Sequence, residues 1–355
     1  MTDLISVDKP AWLREGESDV LERIGFATGY DPSMSVKQMA DSMRQADERG
    51  YEIGFFSETI ELMRDAATAM AAFGLATKHL TLGCTMIVRL RSPIVMAQTL
   101  VTLDELTGGR TIMAPGACTN SHAKRHSLHE ASPPKSLEEW VESMRRIISG
   151  ESASMDGETV TFNEVGLGWK PVRSYIPLYI PATSRTGLRI AGRIGDGVLL
   201  NAICSPEYST NALKIVREAA EGAGRNWDEF EVAQLINCSI EDDTEKAYDA
   251  IRWEVASKFD PIQLPFIAGP KMRVGEPYIQ PDDIPLLEEA YERGGKQELM
   301  KALPDRYIQG MTASGTPEEV EKKVQEFRDV GVRLPILRPA AKHQNQRLLD
   351  QFAPR

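Results

Sequence analysis

From Arg23 onward the chain alternates short apolar runs with helical stretches, and it completes that beat eight times. The runs are Arg23–Thr28 (RIGFAT), Tyr51–Ser57 (YEIGFFS), Leu80–Val88 (LTLGCTMIV), Thr111–Gly116, Ile176–Pro181, Gly197–Asn201, Glu231–Ile240 and Val332–Leu337. Between them, Ser35–Arg49 sets Val36, Met39, Ala40, Met43 and Ala46 on one helical face. Pro93–Thr107 opens with proline and closes on Gly108-Gly109, the asymmetry of a helix. Arg64–Thr77, Thr186–Arg193, Pro206–Glu221 and Thr244–Ser257 supply further helices. Ser136 with Glu139, and Thr316 with Glu319, read as capping boxes opening two more. Strands apolar along their whole length and separated by helices belong to a parallel sheet covered on both faces. Eight of them close a (β/α)8 TIM barrel, an α/β fold. An open doubly wound sheet is the alternative. It wants a glycine fingerprint after its first strand, and Ala27–Ser33 (ATGYDPS) is not one.

Two stretches interrupt the beat. Residues 150–172, with DGETVTF, read as a hairpin, and residues 259–310 form a long excursion rich in Pro and Gly. A connection of that length is usually a lid or an interface arm. Neither reads as a domain of its own, so residues 1–355 are expected to form one barrel with insertions, the largest before the last strand.

Composition narrows the function. Apolar residues make up 42%, which excludes a disordered chain. Fifty-two acidic against 41 basic side chains give a net charge of −11, and nucleic-acid binding needs the opposite balance. The first residues lack the apolar core of an export signal. No run approaches the ~18 apolar residues of a membrane span. Four cysteines without a CxxC pair point to a reduced, cytoplasmic protein rather than a disulfide scaffold. The partner expected is a small-molecule substrate, with neither nucleic acid nor membrane.

A parallel barrel keeps its chemistry at the C-terminal ends of its strands. Thr28 stands there after strand one, Glu58 after strand two, Cys84 and Thr85 and then Arg89 and Arg91 after strand three. Cys118 and His122 follow strand four, with Lys124, Arg125, His126 and His129 on the same loop; Asn201 and Cys204 follow strand six. The end of strand five, Thr183-Ser184-Arg185-Thr186-Gly187, runs directly into a helix. Hydroxyls, an arginine and open N–H groups at a helix start make an anion site, and a plain N-cap is the alternative. The histidine spacings match no zinc ligand set, so no metal is expected. The cysteines read as small apolar filler rather than nucleophiles. Glu58 and His122 are the candidates for moving a proton, a role that burial of Glu58 would favour by raising its pKa.

Three segments carry a family likeness: Arg91–Arg110 (RSPIVMAQTLVTLDELTGGR), Ile176–Ala202 (IPLYIPATSRTGLRIAGRIGDGVLLNA) and Ser314–Val332 (SGTPEEVEKKVQEFRDVGV). On these the chain resembles the bacterial-luciferase-like superfamily, in the branch that uses coenzyme F420. The resemblance implies a (β/α)8 barrel and a homodimer or higher homo-oligomer packed through early helices, around Met63–Phe73. It implies a bulge, often with a cis peptide, near Gly83–Thr85 behind the deazaflavin ring, and cofactor phosphate on the strand-five loop. It also implies that Arg89, Arg91, Lys124 and Arg125 meet the polyanionic tail. Reductases of this branch carry acids where this chain has Ala27 and Ala117, and many relatives have Asp-His where Glu58 and Thr59 stand. The function so implied is an F420-dependent oxidoreductase passing hydride between deazaflavin C5 and a small organic substrate. A reduced-FMN-dependent monooxygenase is the alternative, and a non-catalytic flavin-binding protein a third. In this reading Glu58 ranks ahead of His122 as the proton relay.

Overall fold

Short apolar runs punctuated by Gly and Pro become the strands of a closed barrel in the computed structural model, which describes residues 23–29, 31–261, 263–264 and 277–354. In chain order the strands are β1 Gly25–Ala27, β2 Ile53–Ser57, β3 Thr81–Ile87, β4 Thr111–Gly116, β5 Ala153–Asp156, β6 Thr161–Val165, β7 Tyr179–Pro181, β8 Gly197–Leu200, β9 Glu231–Ile240, β10 Ala313–Gly315 and β11 Leu334–Pro339. The parallel strands neighbour one another in the order β4-β3-β2-β1-β11-β9-β8-β7. A parallel bridge between Met113 and Leu178 joins β4 to β7 and closes the ring. Its hydrogen bond runs from the Met113 N–H to the Pro177 carbonyl, 3.1 Å.

Strand alternation divides the apolar residues between two layers. Ala27, Ile53, Phe55, Ile112, Leu199, Leu235 and Ile336 point inward and fill the barrel. Phe26, Phe56, Leu82, Cys84 and Met113 point outward into the helix layer. Each large side chain buried this way contributes roughly 1.5–3 kcal/mol. A third cluster joins Ile251 and Val255 of helix Thr244–Ala256 to Leu287, Leu299, Tyr307 and Ile308 of the long excursion. That cluster seats the excursion beside the ends of β8 and β9.

Several boundaries differ from expectation. β10 was not anticipated: three residues are too few for a periodicity, and it pairs with the far end of β9, Ala313 against Cys238. The hairpin in 150–172 is present as β5 and β6, antiparallel. Ser136, however, does not cap a helix. Pro133 and Pro134 start that helix earlier, Pro133–Ile148, and the Ser136 hydroxyl is buried without a partner among the described residues. Glu139 instead reaches the hairpin, accepting the N–H groups of Glu158, Thr159 and Val160 at 2.9, 2.7 and 3.1 Å. Burial opposes its charge, but hydrogen bonds from Thr159, Glu158 and Lys135 win and hold the carboxyl down at about 2. The Thr316 capping box is formed as expected.

Candidate active site

Ring closure makes β3, β4, β7 and β8 one contiguous arc, and most of the predicted loops rise from it. After β7, Ser184 caps helix Arg185–Ile194 and its hydroxyl accepts the Gly187 N–H at 3.1 Å. The N–H groups of Arg185 and Thr186 lie ahead of the first helical hydrogen bonds and find no acceptor among the described residues. The Thr183 carbonyl is fixed by the Tyr208 hydroxyl at 3.0 Å, which holds the loop against helix Pro206–Gly222. Arg185 is exposed and carries no ion pair among the described residues. The arrangement is an N-cap, and its open helix start has the chemistry to receive an anion.

The β4 loop is tied down by Arg89. Its guanidinium donates to the carbonyls of Ala117, Cys118 and His129 and to Asn120 Oδ1. Cys118 sits at φ 61 and Ile203, after β8, at φ 56. Left-handed backbone at non-glycine residues is strained, and such residues gather at functional sites. Burial pushes the Cys118 thiol up while Arg89 pulls partly against it, so this cysteine is a poor nucleophile. His122 lies on the short helix Asn120–Arg125, half-buried, with neither ring nitrogen bonded among the described residues. Its ring stands 4.3 Å from that of His126. Burial first, then His126 and Arg125, push its pKa below 6.5, and Glu61 opposes them.

Glu58 is committed elsewhere. One carboxylate oxygen accepts the Ile87 N–H at 2.7 Å and the other accepts Arg91 at 2.9 Å. With side chains only 7% and 18% exposed, the pair is a buried clamp between the ends of β2 and β3. Arg91 also meets Asp65, and Arg125 meets Glu61. Arg89 and Arg91, expected to face a polyanionic tail, are therefore held within the fold, and Arg125 pairs with Glu61 at the surface. Lys124 stays exposed.

Other expectations are corrected by strand parity. Cys84 packs in the outer helix layer, whereas Gly83 and Thr85 face inward. A Cβ on Gly83 would lie 2.5 Å from the Phe55 ring, so the interior leaves no room for one. Thr85 keeps its place at the mouth, where its hydroxyl accepts the Glu58 N–H at 3.2 Å. Thr28 is buried with its hydroxyl toward the Met34 sulfur, 4.0 Å away. Asn201 is exposed at the mouth, its side-chain oxygen taking the Ala202 N–H at 2.9 Å. The ladder between β3 and β4 runs unshifted from Leu82–Thr111 to Ile87–Gly116, and the described peptide bonds are trans, so the implied bulge is absent.

Sequence reading passes over a buried polar group on the opposite arc. Asn237 of β9 and Arg338 of β11 are register partners, and Glu254 of helix Thr244–Ala256 reaches both. Expecting the last strand to end at Leu337 hides Arg338, although inward alternation from Leu334 and Ile336 points to it.

The luciferase-like monooxygenase family model matches residues 20–334, and the chain belongs to that family. It is 27% identical over 313 residues to the 5,10-methylenetetrahydromethanopterin reductase of Archaeoglobus fulgidus, covering 86% of this chain and 91% of that one. It is 26% identical to the F420-dependent glucose-6-phosphate dehydrogenase of Nakamurella multipartita, over 94% of this chain and 96% of the relative. The solved structure of the coenzyme F420-dependent tetrahydromethanopterin reductase from Methanopyrus kandleri superposes with a TM-score of 0.80 at 22% identity, covering 93% and 98% of the two chains. That likeness confirms the TIM-barrel fold.

Proposed function

We propose that this member of the luciferase-like family is an oxidoreductase that uses coenzyme F420 on a small organic substrate. The observation that carries the reading is the open helix start after β7 with Arg185 beside it, in a chain whose relatives are named for F420. A phosphate suits that site, because two free N–H groups, the helix dipole and a guanidinium all favour an anion. When bound, the deazaflavin gives or takes a hydride at its C5 carbon. The chain's own residues do the rest. The Ser184–Gly187 turn and Arg185 hold the phosphate. Thr183, Thr85 and Asn201 line the mouth, and Arg89 fixes the loop bearing Cys118. His122 moves the proton, and Glu58 keeps Arg91 and the β3 end in place. Arg185→Ala is expected to raise the F420 dissociation constant about fivefold or more, since a charge-assisted hydrogen bond is worth at least ~1 kcal/mol. An unchanged constant in a fluorescence titration would remove Arg185 from the site.

A second reading, reduced FMN as the cofactor, draws on one observation. With Arg89 and Arg91 held within the fold and Arg125 paired to Glu61, the rim offers Lys124 and Arg185 as its unpaired cations, among the described residues, to a polyanionic tail. FMN has no such tail and asks less of the rim.

A homodimer is part of the proposal, but through a different face from Met63–Phe73. Met70 and Phe73 are buried in the chain's own core. Leu75 and Leu106, on helices Ala66–Ala76 and Pro93–Thr107, are 76% and 42% exposed. Sedimentation at micromolar concentration should give a dimer, and Leu75→Lys with Leu106→Lys a monomer. A wild-type monomer would refute it.

A further inference from the structure

We propose that Glu254, Asn237 and Arg338 form the substrate-side wall of the pocket, and that the open carboxylate oxygen of Glu254 takes a neutral hydroxyl of the substrate. The inference rests on the oxidoreductase reading and adds a substrate class to it.

Asn237 and Arg338 face each other across β9 and β11, two residues beyond Leu235 and Ile336 of the barrel interior. They therefore rise from an apolar floor at the mouth. Phe26 is the register partner of Leu337, so small Ala27 comes next to Arg338. Arg338 Nε donates to Asn237 Oδ1 at 2.9 Å. Asn237 Nδ2 at 2.6 Å and Arg338 Nη2 both donate to Glu254 Oε2. All three side chains are at most 5% exposed. Two donors converge on one oxygen, while Glu254 Oε1 is buried and receives none among the described residues.

A buried carboxylate oxygen without a donor is rare and calls for a reason. Stability does not supply one: apolar packing does as well as a buried ion pair, and a half-satisfied network does worse. A donor that arrives with a ligand does supply one. The open atom of Glu254 is an acceptor, on a carboxylate whose other oxygen already takes two donors. The open oxygen repels phosphate and carboxylate groups and welcomes an O–H. The cluster also lies on β9 and β11, away from the β7 loop assigned to the cofactor phosphate.

The test titrates the F420-loaded protein with cyclohexanol and with cyclohexanecarboxylate, read by saturation-transfer NMR. Cyclohexanol should bind at least tenfold more tightly. Glu254→Gln should weaken it tenfold with the F420 constant unchanged, because a neutral acceptor bonds a hydroxyl less strongly than a charged one. Glu254→Asp should recover part of the loss. Equal or tighter binding of the carboxylate overturns the proposal, and that comparison needs no variant to fold. Full cyclohexanol affinity in Glu254→Gln also overturns it. Should F420 fail to bind the wild type, the cofactor reading falls by itself, and the same pair of probes on the cofactor-free protein still decides this one.

Discussion

His122→Asn is expected to lower turnover by roughly 10²–10⁴ at saturating substrate, the usual share of general acid–base catalysis, with F420 affinity nearly intact. The ring is half-buried, without a hydrogen bond among the described residues, and beside a second imidazole. Burial and the neighbouring His126 and Arg125 keep it neutral at pH 7, ready to take a proton. Protonation would disable it as a base, so the acid limb of the rate profile for substrate oxidation should fall below pH 6.5. His126→Asn removes one of the neighbours that push the His122 pKa down and should move that limb upward. Glu58→Gln should have the smaller effect on rate and the larger on stability, because it removes the carboxylate that holds Arg91 and the Ile87 N–H together and leaves Arg91 only its longer pair with Asp65. A folded Glu58→Gln protein with the greater loss of turnover would return the relay to Glu58. Slight effects from both would mean that solvent supplies the proton.

Gly192→Ala is expected to destabilise the protein by about 2–3 kcal/mol, in the overpacking range. Alanine normally improves a helix by up to ~1 kcal/mol over glycine. Here a Cβ would lie 2.3 Å from the Val216 carbonyl oxygen and 2.9 Å from the Ala220 nitrogen, where helices Arg185–Ile194 and Pro206–Gly222 touch backbone to backbone. Neither backbone can yield without moving its helix. The displaced helix is the one whose start bears Arg185, so F420 affinity should fall with stability. Gly222→Ala is the control, since nothing lies within 4 Å of its added Cβ. Thermal unfolding should separate the two variants by several degrees. Equal melting temperatures would show that the helix contact is looser than the geometry implies.

How much could be read beforehand depends on where each residue finds its partner. Pro93–Thr107, Thr111–Gly116 and Glu231–Ile240 have the bounds expected, because Pro, Gly and continuous apolar runs are local signals. The N-cap after β7 was legible for the same reason: Ser184 and its helix are neighbours in sequence. Glu139 shows the opposite case. Its spacing from Ser136 fits a capping box, yet its carboxylate is claimed by a hairpin some twenty residues on. Arg89 and Arg91 are likewise claimed by residues 26 to 40 positions away, and two positions apart in sequence they look like free cations. Cys84 was decidable from alternation alone, since Gly83 and Thr85 share the inward face. The Glu254 cluster joins residues 17 and 84 positions apart and leaves no local trace.

The central claim is that the β7 loop and its neighbours bind a deazaflavin. Parallel titration of the purified protein with F420 and with FMN, followed by ligand fluorescence, tests it most directly. The account predicts saturable F420 binding at least tenfold tighter than FMN, weakened by Arg185→Ala. Tighter binding of FMN, or no binding of F420, would contradict it.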